Sequence, residues 1–210
     1  MIKRVIFDLD GTLLTGDFSS EDILFKKYFT EEEFNIWKKN SSNIIREYED
    51  THKTYNIEAC SKFFKDKLDI NFSTELVKRW IEDNSNCVDT ISPNTKEILE
   101  YLKNKGYSLG ILTNWFRYTQ EERLKHADIL KYFDYIVYGE DGLKPTKESY
   151  LKALNGYKED ECVIIGDDII NDVLEPIKLG INAIWYNPMN KETKENIKAI
   201  NDFIELKNIL

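Results

Sequence analysis

The residues that could do chemistry begin at the N-terminus. Asp8 and Asp10 flank Leu9 directly after the apolar run Val5-Ile6-Phe7, and Gly11-Thr12 follows. In an extended chain, side chains two apart point the same way. The two carboxylates are therefore expected to face one spot, with Leu9 turned to the core. Two close carboxylates are costly unless a cation lies between them or one keeps a proton. For this pair alone, a strand ending in a polar turn is the plain alternative. Three later groups bear on the choice. Thr113-Asn114 follows an apolar stretch, Lys144 precedes Pro145, and Gly166-Asp167-Asp168 with Asp172 follows a second apolar stretch. Singly these read as a helix cap, a surface loop and an acidic turn. Oxygen-only acids together suit a hard cation such as magnesium. A lysine and a hydroxyl beside them suit an anion.

The elements that must position these residues alternate from residue 90 onward. Strands are expected at 108–112, 135–138, 162–165 and 183–185, where short apolar runs stop at polar residues. Helices are expected between them: 93–105 with Ser92 as cap and Pro93 first, 119–130, a helix up to 154, 171–179, and 203–210. Gly106 and Gly180 follow two of these helices. Alternating short strands and helices make a parallel sheet covered on both faces, and ligands bind such sheets at the carboxyl ends of the strands. The fold class expected is α/β, a Rossmann-like parallel sheet. On that logic Asp8, Asp10, Thr113, Asn114, Lys144 and Asp167 gather at one edge, with Asp168 and Asp172 close behind.

Residues 15–90 read differently. Helical runs are expected at 20–29, 30–48, 57–68 and 73–83, the second opened by a Thr30–Glu33 capping box. No glycine falls between Asp17 and Asn104. Aromatic residues at helical spacing, among them Phe34, Trp37, Phe63, Phe64 and Trp80, read as core. The expectation is a helical insertion over residues 16–88, with residues 1–15 and 89–210 forming the sheet domain.

Composition sets the outer bounds. A chain of 210 residues is one large domain or a domain with an insertion. The net charge of −9 argues against general nucleic-acid binding. An anionic substrate would have to be attracted by locally placed cations. No stretch approaches the roughly 20 apolar residues of a membrane span, and no signal peptide is visible. Cys60, Cys87 and Cys162 show no paired spacing. A reducing, cytoplasmic setting is expected, without nucleic-acid or membrane partners and as a monomer or homodimer.

Asp8-Leu-Asp-Gly-Thr12, Thr113-Asn114, Lys144-Pro145 and Gly166-Asp167-x4-Asp172 resemble, in order and placement, the four signature motifs of the haloacid dehalogenase-like (HAD) hydrolase superfamily. The helical insertion resembles that family's first type of cap domain. Gln120-x-x-Arg123-Leu124 and Tyr132-Phe133-Asp134 resemble the branch of small-molecule phosphatases. The resemblance implies a magnesium-dependent phosphatase of a small phosphorylated metabolite, a nucleotide or sugar phosphate. It implies Asp8 as nucleophile and Asp10 as general acid and base, its side chain free to carry a proton. Thr113 and the Asn114 N–H would bind phosphate, and Lys144 would neutralise charge. Asp8, the Asp10 carbonyl and Asp167 would hold the metal, with Asp172 acting through water or orienting Lys144. Asp168 beside Asp167 blurs that set; Asp167 has the family position. A phosphomutase using the same aspartyl-phosphate, or a non-catalytic receiver-like module, is the alternative. Trp115 would narrow the site or brace the cap. Phe18 is near the substrate-facing loop, and Arg117 reads as a solvent-exposed helix residue before a phosphate contact. His52 and His126 read as surface. Hinge strands are expected near residues 15–16 and 87–92.

Overall fold

The computed structural model describes all 210 residues. In chain order it runs β1 (Arg4–Phe7), β2 (Leu14–Asp17), α1 (Glu21–Tyr28), α2 (Glu31–Thr51), α3 (Ile57–Leu68), α4 (Thr74–Ser85) and β3 (Val88–Ile91). It continues through α5 (Thr95–Asn104), β4 (Ser108–Leu112), α6 (Arg117–His126), β5 (Tyr135–Val137), α7 (Lys147–Leu154), β6 (Cys162–Gly166), α8 (Glu175–Lys178), β7 (Asn182–Tyr186) and β8 (Ala199–Ile200).

Six strands form a parallel sheet in the order β5-β4-β1-β6-β7-β8. β1 lies in the interior and is buried along its whole length, which is why it reads as a continuous apolar run. Its register fixes the site. Phe7 stands level with Ile111 of β4 and Ile165 of β6. The residues just beyond these three strands therefore emerge at one edge. Helices cover both faces, one apolar cluster containing Val5, Phe7, Ile98, Leu109 and Ile165, another Ile6, Leu112, Tyr150 and Ile164.

α1 to α4 bury a separate apolar cluster built on aromatics, including Phe25, Trp37, Phe64, Phe72 and Trp80. Ring centroids of Trp37 lie 4.9 Å from Phe72 and 5.4 Å from Trp80. Such rings supply large apolar area and pair edge-to-face. Thr30 and Glu33 form the expected reciprocal cap of α2. The helical group joins the sheet through β2 and β3, which pair antiparallel with Gly16 opposite Asp89. Trp115, after β4, braces the two groups: its ring centroid is 4.5 Å from Trp80 and 5.2 Å from Tyr55.

Several local expectations are corrected. The helix expected from Pro93 starts at Thr95, because Asn94 takes a left-handed conformation with φ of 59° and serves as its cap. Ser92 instead donates its hydroxyl to the Thr12 carbonyl at 2.5 Å, pinning the loop after β1. The helix expected at 119–130 begins at Arg117 and stops at His126, since Asp128 turns left-handed with φ of 55°. The segment expected as one helix from 171 is a π-helical turn, Ile169–Leu174, followed by the short α8. The last turn, Phe203–Asn208, is 3-10. β8, only two residues long, has no pattern that sequence reading could catch. No helix is long and apolar enough to cross a membrane.

Candidate active site

The sheet edge does what its register requires. Asp8 follows β1 directly, and its backbone N–H donates to the Ile165 carbonyl at 2.9 Å, so the chain stays tied to the sheet as the carboxylate emerges. The buried Lys144 ammonium donates to Asp8 Oδ1 at 2.7 Å and to Asp172 Oδ1 at 2.6 Å. Lys144 reaches this point because Asn114 grips its backbone. Lys144 N–H donates to Asn114 Oδ1 at 2.9 Å, and Asn114 Nδ2 donates to the Lys144 carbonyl at 3.3 Å. Asp167 follows β6. Its N–H donates to Thr12 Oγ1 at 3.0 Å, and that hydroxyl donates to Asp167 Oδ1 at 3.2 Å. Gly11 makes this approach possible: φ is +80°, and a Cβ there would lie 2.6 Å from Asp167 Oδ2.

Asp8, Asp167 and Asp172 each offer a carboxylate oxygen, all within 4.8 Å of one another. Three carboxylates against one ammonium leave an excess of negative charge in a poorly solvated place. Burial pushes the Asp8 carboxyl up to about 7, with the Lys144 ammonium pulling the other way and Asp172 adding to the rise. Burial and the Asp8 charge push Asp167 up to about 6. Asp172 is also raised by burial, while Lys144 is held protonated by its two carboxylates, whose pull outweighs its burial. Asp168 stands outside the trio. It caps the following turn, accepting from the Ile170 N–H at 2.9 Å and the Asn171 N–H at 3.1 Å, and pairs with Arg46 at 2.9 Å.

A model of the haloacid dehalogenase-like hydrolases matches residues 5–186. The chain belongs to that family. A glyceraldehyde 3-phosphate phosphatase of Methanothermobacter thermautotrophicus is 32% identical over 130 residues, 56% of this chain and 58% of that protein. The pyrimidine 5'-nucleotidase PynA of Streptococcus pneumoniae is 25% identical over 210 residues, covering 90% of this chain and 86% of its own. The HAD-hydrolase YfnB of Bacillus subtilis, solved with magnesium bound, shares the fold at a TM-score of 0.74, with 22% identity and coverage of 100% and 98% of the two chains. As a member of the HAD family the chain is a hydrolase, and the named relatives include phosphoric monoester hydrolases.

Asp10 departs from expectation. It lines the same cavity as Asp8, but its carboxylate is not free. Arg123 Nη1 donates to Asp10 Oδ1 at 2.6 Å, and Gln120 Nε2 donates to Oδ2 at 2.6 Å. The Arg123 side chain is 1% exposed and also donates to Asp89 of β3 at 2.7 Å. Gln120 and Arg123 are one helical turn apart on α6, so both reach the same carboxylate. The Gln-x-x-Arg spacing was the available signal, but nothing local pointed to Asp10 as their partner, since the pairing spans 110 residues or more.

The remaining site candidates sort cleanly. Thr113 is buried; its hydroxyl donates to the Asn114 carbonyl at 2.9 Å and accepts from Gln120 Nε2 at 2.9 Å. Arg117 pairs with Asp141 at 2.8 Å and lies over the Tyr138 ring, outside the cavity lining. His126 is exposed, whereas His52, expected at the surface, is half-buried and stacks on Tyr48 at 4.0 Å. Phe18 lines the cavity, with the Arg123 guanidinium 5.2 Å from its ring centroid. The cavity encloses about 500 Å³ between the sheet edge and α1, α2 and α4.

Proposed function

We propose that this HAD-family hydrolase is a magnesium-dependent phosphatase of a small phosphorylated metabolite, acting through a phosphoryl group carried on Asp8. Residues 1–15 and 89–210 form its catalytic core and residues 16–88 its cap. One observation carries the reading: a buried lysine spans Asp8 and Asp172 at the sheet edge, with Asp167 in reach and Asp10 on the same cavity. A carboxylate beside a fixed ammonium and an acidic cluster is equipped to receive a phosphoryl group.

The donor set fits a hard divalent cation. Its ligand atoms are carboxylate oxygens on three residues, and the carboxyls of Asp8 and Asp167 are pushed up to about 7 and about 6, first by burial and then by neighbouring carboxylates, so their ionised forms would gain from a bound cation. Asp8, Asp167 and the Asp10 carbonyl would hold the ion, with Asp172 behind them. Bound there, magnesium supplies positive charge that screens Asp8 from an incoming phosphate.

The chain's own residues do the rest. Asp8 attacks phosphorus in line, the bond to the leaving oxygen breaks, and protonated Asp10 gives that oxygen its proton. Water then attacks the phosphoryl group on Asp8 while ionised Asp10 takes its proton, releasing inorganic phosphate and restoring Asp8. Lys144 neutralises charge on Asp8 and the transferring group, held in place by Asn114 and Asp172. Thr113, on the cavity lining, would turn its hydroxyl from the Asn114 carbonyl to a phosphoryl oxygen. Arg123 and Gln120 hold the Asp10 carboxylate in position.

Phosphate release from a panel of phosphomonoesters tests this. Chelator should abolish release and magnesium restore it, and Asp8→Asn should be inactive with magnesium present. Turnover undiminished in chelator, or by Asp8→Asn, would refute the reading. An isomeric phosphoester formed without net phosphate would make it a phosphomutase instead.

A further inference from the structure

Lys144 is delivered by the loop Tyr138-Gly139-Glu140-Asp141-Gly142-Leu143, which follows β5. Two glycines give this segment conformational freedom that its anchors must offset. Half of the anchors come from the segment after β4: Gly139 N–H donates to the Trp115 carbonyl at 2.8 Å, and Asn114 grips the Lys144 backbone. The other half come from the proposed cap. Tyr55 N–H donates to the Gly139 carbonyl at 2.8 Å, and Leu143 N–H donates to the Lys53 carbonyl at 2.9 Å. The connection between α2 and α3 thus lies along the loop as a strap, bonded near both of the loop's ends. The consecutive amides of Leu143 and Lys144 bond to different partners, the first to the strap and the second to Asn114.

Packing reinforces the strap. Leu143 is fully buried and, with Phe116, belongs to the aromatic cluster of α1 to α4 rather than to the sheet's own core. Tyr55 is buried in the same cluster, its ring centroid 5.0 Å from Phe116 and 5.2 Å from Trp115. Gly139 is what lets strap and loop meet: a Cβ there would lie 2.5 Å from Tyr55 Cδ2 and 2.6 Å from the Trp115 carbonyl oxygen. The Tyr55 hydroxyl donates to Glu49 Oε1 at 2.8 Å, and Glu49 lines the cavity from α2. Burial pushes the Glu49 carboxyl up, while the Tyr55 hydroxyl, the Asn114 amide and the Lys144 charge draw it back. The strap therefore bears on the lysine along two routes, through Leu143 next to it in the chain and through Glu49 beside the asparagine that grips it.

We propose that the Lys53–Tyr55 strap sets the position of Lys144, with Tyr55 and Gly139 as positioning residues, so that the ammonium spans Asp8 and Asp172 only while the strap is docked on the loop. The helical insertion then supplies part of the frame of the catalytic lysine besides walling the cavity. The kinetic consequence rests on the phosphatase reading above; the placement of Lys144 does not. Gly139→Ala is the sharpest perturbation. The Tyr55 ring must retreat about 1 Å from the new methyl group to reach ordinary carbon contact, and a misplacement of about 1 Å remote from the chemistry can cost a reaction about a hundredfold.

The test reads two quantities in wild type, Gly139→Ala, Tyr55→Phe and Phe29→Leu. One is the rate at which acetic anhydride acylates Lys144 in the native protein, followed by mass spectrometry; the buried, paired ammonium of wild type should react slowly. The other is kcat and KM for para-nitrophenyl phosphate with magnesium. Gly139→Ala should speed acylation of Lys144 tenfold or more and lower kcat tenfold or more, with KM moving less than kcat. Tyr55→Phe keeps the ring and deletes only the hydroxyl; it should move both readouts the same way by about threefold, and it decides the matter if Gly139→Ala does not fold. Phe29, whose ring meets Phe25 and Phe72 in the same cluster, is the control for general loosening, and Phe29→Leu should leave both readouts near wild type. Acylation of Lys144 unchanged in the folded strap variants would overturn the proposal, whatever kcat does. So would faster acylation with kcat unchanged, or Phe29→Leu matching Gly139→Ala in both readouts. No phosphate release by folded wild type, from this ester or the wider panel, would overturn the phosphatase reading, and acylation alone would then decide whether the strap places Lys144.

Discussion

Replacing Lys144 with methionine should damage the site in a way that separates charge from packing. Methionine is unbranched and flexible enough to fill much of the space left by the lysine stem. What it removes is the ammonium lying 2.7 Å from Asp8 and 2.6 Å from Asp172, where the three side chains are at most 8% exposed. Breaking a buried pair costs about 3–5 kcal/mol, because the partner charge is left uncompensated. For a chain of this length each kcal/mol moves the melting temperature by about 2–4 °C, so Lys144→Met in chelator should melt roughly 6–20 °C lower. Magnesium should recover part of the loss by neutralising the same carboxylates. Adding Asp172→Asn should recover another ~0.5–3 kcal/mol, the range of coupling between residues in one network. Denaturant titration of the four proteins, with and without magnesium, closes this cycle. A loss below about 1 kcal/mol, as for an exposed pair, would refute the reasoning. So would Asp172→Asn failing to rescue.

Other outcomes follow from the same geometry. Without metal, the folded protein holds the Asp8 carboxyl at about 7 and Asp167 at about 6, above an unfolded value of about 4. The folded state then binds more protons, so stability in chelator should fall as pH rises from about 4 to about 7, and magnesium should flatten or reverse that slope. Urea midpoints across that range decide it, and a rising stability in chelator would contradict the charge assignment. Gly11→Ala, at φ of +80° with its Cβ 2.6 Å from Asp167, should lose at least about 1 kcal/mol and weaken magnesium binding in calorimetry; unaltered binding would remove Gly11 from the account. Arg123→Met should cost about 3–5 kcal/mol, chiefly by orphaning the buried Asp89, since Asp10 is partly solvated, and Arg123→Lys should restore only part, since an ammonium cannot reproduce the two-sided fork. Full rescue by lysine would show that only the charge matters.

How far the sequence carries depends on whether a feature is local. Val5-Ile6-Phe7 before Asp8 shows a buried strand because burial on both faces demands an unbroken apolar run. The α3 bounds follow from Asn56, whose side chain caps the Ala59 N–H at 3.0 Å. Asp8, Lys144 and Asp167 are legible as a convergent set because parallel sheets deliver their strand ends to one edge. The late start at Thr95 is not legible: Asn94 in a left-handed cap and Ser92 bonded to Thr12 depend on a loop 80 residues away. The clamp of Asp10 by Arg123 and Gln120 fails for the same reason. Each residue has an ordinary local reading, and only the folded sheet brings α6 against the loop after β1. Asp168 blurs the metal set in the sequence, although Asp167 holds the strand end and the family position; the chain geometry sends Asp167 toward Asp8 and Asp168 into the cap of the next turn.

The central claim is that Asp8 carries the phosphoryl group. It is tested most directly by acid-quenching a single turnover of para-nitrophenyl phosphate with magnesium and mapping the quenched protein by mass spectrometry. The account predicts a phosphoryl group on the peptide bearing Asp8, on Asp8 itself, and none in the Asp8→Asn protein. Phosphate release proceeding with Asp8 unmodified at every quench time, or with the phosphoryl group on another residue, would contradict it.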